Sequence, residues 1–348
     1  VQGTMCQVLT KKNSSVGWGT FYMLVNVGGF LGPPLAHFLY GWSWPAVFYG
    51  CAGIISLNFL MLLTYKDPPA GGDQSGNPFE VFWVTIKNIF NLRLIIFIVI
   101  MSGVWLMFMQ LFDMLPNFIV DWVNSSAVVR DLGLPDWVLQ QNSTRAPQIS
   151  QEWLINANAG LIVIAVVFVS FLVSRMRRVH SISIGITMAS IGLILAGFTT
   201  SGYFCLMGIL VFSVGEMLSS PKMNEYLGVI APEGKKGLYM GYANIPQGIG
   251  WAVGSVWAGH VYDDMGDKAN LAMDYLAKNF NVTDVTRPEA MNKLVELTGQ
   301  THQQATEMLW SAYDPYKLWY IFAAVGVASA VAMVVYAKWV KKYEAPDV

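Results

Sequence analysis

The chain has 348 residues, 54% of them hydrophobic and only 12% charged, with a net charge of −1. A soluble domain carries about 25% charged residues, so this balance points to a membrane protein and gives no footing for a nucleic-acid partner. The three cysteines, Cys6, Cys51 and Cys205, are scattered, which excludes a CxxC pattern and a disulfide framework.

The opening VQGTMCQVLTKKNSS is no signal peptide, and Val stands first rather than Met. A helix that crosses the hydrocarbon core needs about 20 mostly apolar residues. Eight segments meet that need, at roughly 17–40, 44–65, 93–122, 150–174, 180–199, 203–230, 237–262 and 316–340. They are far longer than the ~10-residue alternating strands of an outer-membrane barrel. The expected fold class is therefore all-α, a polytopic membrane helix bundle.

Basic residues mark alternate connections. Lys11 and Lys12 precede the first span, and Lys66, Lys87 and Arg93 lie between the second and third. Arg175, Arg177, Arg178 and His180 lie between the fourth and fifth, Lys235 and Lys236 between the sixth and seventh, and Lys338, Lys341 and Lys342 at the end. The positive-inside rule then places both ends in the cytoplasm. The expected location is the plasma membrane, the inner membrane of a bacterium.

Two connections stand apart. KDPPAGGDQSGNP breaks the chain, and NPFEVFWVTIKNIFNLR (77–93) reads as an amphipathic helix lying along the cytoplasmic interface. The outer connection 263–315 reads as a helical insertion, with helices expected over 268–279 and 287–312. Asn124, Asn142 and Asn281 stand in N-x-S/T sequons on outer loops.

The polar residues inside the spans are the candidates for function. Glu216 lies in FSVGEMLSSPKMNEYLGVIAP, about 20 Å into the sixth span at the helical rise, near the midplane. A charge there normally faces a cavity or a partner, which suits a group that gains and loses a proton. Ser219 and Ser220 share its helix face, and Pro221 is expected to break the helix beside it. Lys222 and Glu225, three apart, pair as a structural or gating contact. The third span carries Trp105, Gln110 and Asp113. The fourth starts with Gln151, Glu152, Asn156 and Asn158, where Asn156 either binds a polar ligand or joins two helices. Tyr239, Tyr242, Asn244 and Gln247 surround Pro246 in the seventh, as a cavity wall or a kink. Glycines at 28, 29 and 32, and at 241, 248, 250 and 254, are expected to let helix backbones approach closely. The four histidines, His37, His180, His260 and His302, form no metal or catalytic motif, which argues against a membrane enzyme.

FYMLVNVGGF (21–30) resembles a signature of the proton-dependent oligopeptide transporter family, within the major facilitator superfamily, through Phe21, Tyr22, Asn26, Gly28, Gly29 and Phe30. Trp18 departs from its pattern. GEMLSSP…AP, with Gly215, Glu216, Ser220, Pro221, Ala231 and Pro232, resembles the family's tenth helix. EWLIN, ending in Asn156, resembles its eighth, and VWLMFMQ, with Trp105 and Gln110, its seventh. Met109 stands where the family usually has an acidic residue, and Asp113 lies one turn on.

The resemblance implies that the eight spans correspond to helices five to twelve of a twelve-helix fold, so that the sequence is N-terminally truncated. On that basis 1–66 would close an N-terminal bundle, 67–92 would be the linker, and 93–348 would be a C-terminal six-helix bundle carrying the insertion. It also implies a proton-coupled symporter of di- and tripeptides working by alternating access. Glu216 would be the proton-coupling residue, with Asn156, Trp105, Gln110, Ser219, Ser220, Tyr22 and Asn26 at the substrate. No cofactor beyond the proton is expected, the partners are a small solute and the lipid bilayer, and the full-length protein is expected to be a monomer. The alternative is a transporter of the same fold for another polar solute, a nucleoside, nitrate or organic anion.

Overall fold

The computed structural model describes residues 2–10, 13–66, 83, 87, 90–140, 146–231 and 236–341. Most of the amphipathic segment expected at 77–93, the sequon at Asn142, and Pro232, Lys235 and Lys342 lie outside the described residues.

Sixteen α-helices are described, labelled here in chain order. They are α1 Gln2–Val8, α2 Ser14–Tyr40, α3 Trp44–Leu62, α4 Leu92–Phe108, α5 Gln110–Asp113, α6 Leu115–Trp122, α7 Ser126–Leu132 and α8 Gln151–Leu172. Then come α9 Arg178–Gly197, α10 Gly202–Ile230, α11 Lys236–Tyr242, α12 Asn244–Met265, α13 Lys268–Phe280, α14 Ala290–Thr298, α15 His302–Tyr313 and α16 Leu318–Lys341. Among the described residues there is no β-strand, only two isolated bridges.

Six helical stretches are long and apolar enough to cross a membrane: Trp44–Leu62, Leu92–Trp122, Gln151–Arg175, Arg178–Gly197, Gly202–Ile230 and Pro315–Val340. The other two expected spans, 17–40 and 237–262, fall on α2 and on α11 with α12. Glycine, proline and polar residues dilute their apolar character, but α2 packs along α8 and α10, and α12 packs along α4.

The tightest crossing joins α9 to α10. A Cβ added to Gly208 would lie 2.2 Å from the backbone nitrogen of Ala196, and one on Gly215 would lie 2.4 Å from the carbonyl of Gly185. Gly192 meets the backbone of Phe212 just as closely, at 2.5 Å. The two backbones therefore touch along a seam of glycines. On α12, Gly250 and Gly254 abut α4, but Gly28, Gly32, Gly241 and Gly248 face nothing within 4 Å. The expectation of close packing thus holds for two of those glycines and fails for four.

Pro221 behaves contrary to the sequence reading. Helix α10 runs unbroken through Pro221. One carbonyl of that turn, that of Leu218, accepts a hydrogen bond from the Ser181 hydroxyl of α9 at 2.8 Å. A neighbouring helix thus bonds to the turn that carries the proline. The third span is interrupted, between α4, α5 and α6, and the seventh is interrupted between α11 and α12. Pro116 has no N–H for the carbonyl of Phe112 and crowds it. The chain tightens there, with Phe112 N–H donating to the Met109 carbonyl at 2.9 Å.

The insertion forms α13 to α15, and the helix expected over 287–312 is divided by Gly299 at φ +67. It is docked by Trp122 Nε1 on the Gly266 carbonyl at 2.7 Å and by the Lys268 amine on the Asp121 carbonyl, while Tyr262 Oη of α12 donates to the Asp121 carboxylate at 2.6 Å beside them. Within it, Asp274 accepts from Lys278 Nζ at 2.6 Å and Tyr313 Oη at 2.7 Å. The bond from Lys278, reinforced by Tyr313, holds the Asp274 carboxyl below the usual carboxylate range.

Two outcomes follow from this packing. Gly208→Val should lower the stability of the full-length protein by about 3 kcal/mol or prevent folding, whereas Gly28→Ala should be near neutral, read as thermal midpoints by size-exclusion chromatography. The Asp274 contacts contribute stability above pH ~4, the ordinary carboxylate value, and lose it as pH falls through the lowered one. Asp274→Asn should therefore raise amide exchange of α13 and α15 at pH 7, by less than about 1 kcal/mol for so exposed a pair, and make little difference near pH 2.

Candidate functional site

Glu216 is 9% exposed, inside α10. Burial of a carboxylate demands donors. Two neighbouring helices supply them. The Tyr22 hydroxyl of α2 donates to Oε1, and Asn158 Nδ2 of α8 donates to Oε2 at 2.9 Å. Asn158 Nδ2 also reaches Ser213 Oγ at 3.0 Å, and that hydroxyl donates to the Ile209 carbonyl at 2.7 Å. Asn158 and Ser213 are buried. The side chains of Ser220 and Asn26 interact with Tyr22 as well, and Asn26 Nδ2 caps the Tyr22 carbonyl at 3.0 Å. Glu216 is thus the point where α2, α8 and α10 meet through side-chain polar atoms.

A cavity of about 300 Å³ opens beside it. Tyr22, Trp105, Glu216 and Ser220 line it, together with Asn244 and Gln247 of α12. Its apolar wall includes Phe97, Met101, Met109 and Phe112. Among the described residues lining it, Glu216 is the only charged one. Asn244, Pro246 and Gln247 therefore form a cavity wall, whereas Tyr239 and Tyr242 meet edge to face and pack on Leu94 and Ile98.

Four residues expected at the substrate do not line this cavity. Asn156 Nδ2 donates to the Phe30 carbonyl at 3.0 Å, joining α8 to α2 outside the cavity lining. Gln110 is fully buried, with Nε2 on the Leu106 carbonyl at 2.7 Å and Oε1 without a partner among the described residues. Ser219 is fully buried and bonds back to the Gly215 carbonyl at 2.9 Å. Asn26 touches Tyr22 and does not line the cavity.

Asp113 faces α12, accepting from Trp251 Nε1 at 2.9 Å and Ser255 Oγ at 2.5 Å. It lines a second, larger cavity of about 480 Å³, with Asp121, Asp263, Asp267 and Arg287. Lys222 and Glu225 pair at 2.8 Å, and Arg178 Nε of α9 joins them at 3.0 Å on the other carboxylate oxygen. Arg178 was not expected there.

Asn158 is the residue that sequence reasoning passed over. Asn156 and Asn158, two apart, point to different faces of α8, so only one of them can meet Glu216. Ser213 lies three residues before Glu216, on its face, and was the available signal for which face is polar.

A double-mutant cycle separates the two asparagines. Asn158→Ala with Glu216→Gln should show a coupling of about 1–3 kcal/mol in the stability of the full-length protein, and Asn156→Ala with Glu216→Gln should show less than about 0.5 kcal/mol.

The family model described as Major Facilitator Superfamily matches residues 1–255. No curated protein matches the chain.

Proposed function

Because the chain belongs to the major facilitator superfamily, whose members are membrane transporters and not enzymes, we propose that it is a proton-coupled symporter of small peptides, with Glu216 as the proton carrier. One observation carries the proposal: the only charged group among the described cavity-lining residues is a buried carboxylate whose bonds come from two other helices. Protonation changes what that carboxylate accepts and donates. As an anion it accepts from both Tyr22 and Asn158. With the proton on Oε1, the oxygen that faces Tyr22, that oxygen becomes a donor and the Tyr22 hydroxyl must turn. Proton uptake therefore rearranges the contact between α2 and α10, and a movement of α2 against α10 changes the carboxyl's affinity for the proton. Reciprocal coupling of this kind is what symport needs.

The peptide reading is supported by the resemblance of the motifs around Tyr22 and Glu216 and by the cavity's mixture of amide and aromatic groups. Trp105, Phe97 and Phe112 offer apolar surface for side chains, and Asn244, Gln247 and Ser220 offer bonds for a peptide backbone. A volume of about 300 Å³ suits a solute of a few residues. The expected location is the plasma membrane with both ends cytoplasmic, and the transporting unit is a monomer.

In liposomes bearing the full-length protein, Glu216→Gln should reduce gradient-driven dipeptide uptake by about 100-fold or more while exchange of labelled for unlabelled dipeptide persists. Proton-driven accumulation by that variant at the normal level would refute the proposal. Unlabelled di- and tripeptides should compete with the label, and nucleosides, nitrate and organic anions should not. The reverse pattern would assign the cavity to another polar solute.

A further inference from the structure

We infer that the end of the bundle carrying Arg175, Arg177 and Arg178 holds a binding site for a phosphate-bearing anion, in a cavity of about 330 Å³ between α1, α2, α9 and α10. Thr10, Ser14, Arg178 and Glu225 supply its polar wall, and Cys6 and Trp18 lie in its apolar part. This cavity shares no lining residue with the one beside Glu216.

The charge count at this place is unbalanced. Lys222 is 2% exposed and Glu225 5% exposed, and the Arg178 side chain is three-quarters buried. Among the described residues two cations share one carboxylate, so this cluster of three side chains carries one net positive charge, with Arg178 reaching the cavity. Buried charge is stable only when compensated, and a single carboxylate leaves it incomplete. The guanidinium is also incompletely used. Arg178 bonds Glu225 through Nε, and among the described residues its two terminal nitrogens have no acceptor. A planar fork with free N–H groups facing a cavity matches phosphate geometry.

The surroundings agree with an anion. Ser14, which begins the 27-residue helix α2, is among the lining residues, so the helix starts at the cavity. Arg175 and Arg177 are exposed beside it, on the turn between α8 and α9, where the basic connections place the membrane surface. Basic pockets between helices at such a surface accept lipid headgroups. A lipid phosphate and a soluble phosphate present the same chemistry to Arg178 and Ser14, and the experiment separates them.

The thermal midpoint of the full-length protein in neutral detergent would be followed while phosphatidylglycerol, phosphatidylcholine or inorganic phosphate is added at constant ionic strength. Saturable stabilisation by about 5 °C is expected with phosphatidylglycerol or with phosphate, and not with phosphatidylcholine. A response to phosphatidylglycerol alone assigns the site to a lipid headgroup, and a response to phosphate alone assigns it to a soluble ligand. Arg178→Lys should weaken the apparent affinity about 10-fold, because Lys has no fork. Ser14→Val, which leaves the charge cluster intact, should weaken it several-fold and serves if Arg178→Lys does not fold. No stabilisation of the wild type by either phosphate source would overturn the inference, as would a wild-type response in both variants.

Discussion

The structure turns on a carboxylate buried where three helices meet. In an apolar bundle an ionised Glu is unfavourable by several kcal/mol unless donors replace water. Glu216 has donors from Tyr22 on α2 and Asn158 on α8. That requirement fixes much around it. Tyr22 must project from α2 at the level of Glu216, and α8 must present Asn158 rather than Asn156. Ser213, one turn before Glu216, holds Asn158 in place. These contacts tie α2 to α8 and α10, although α2 falls short of the apolar character of the six spans.

The remaining architecture supplies a rigid frame. The glycine seam brings α9 and α10 into backbone contact, and Ser181 satisfies a carbonyl beside Pro221. Helix α10 therefore carries Glu216 on a continuous element, while the interruption lies across the cavity, between α4 and α6. Met109 and Phe112, at that interruption, line the cavity. The helix break expected beside Glu216 is thus found in another wall of the cavity. The charged cluster of Lys222, Glu225 and Arg178 pins α9 to the other end of α10.

Much of this was legible in the sequence, for identifiable reasons. Runs of about 20 apolar residues can be read without a structure, because hydrocarbon admits little else. Glu216 was legible because an ionisable group amid such a run must have a role or a partner. Tyr22 was named beside it through a motif, and the structure joins the two. Asn156 and Asn158 were not separable, because choosing between them needs the rotation of α8 about its axis. Pro116 and Pro221 look alike in sequence. Ser181 lies forty residues from Pro221, so its bond to that turn depends on the α9–α10 crossing, which sequence does not show. Arg178 escaped notice for a similar reason: its partner Glu225 is 47 residues away.

In the proposed mechanism a proton moves with the solute through Glu216. The direct measurement is the internal pH of liposomes holding the full-length protein, read by a trapped dye, after dipeptide is added outside without an imposed pH gradient. The lumen should acidify with wild type, in proportion to dipeptide taken up, and should stay constant with Glu216→Gln. Uptake without acidification by wild type, or equal acidification by the variant, would contradict the account.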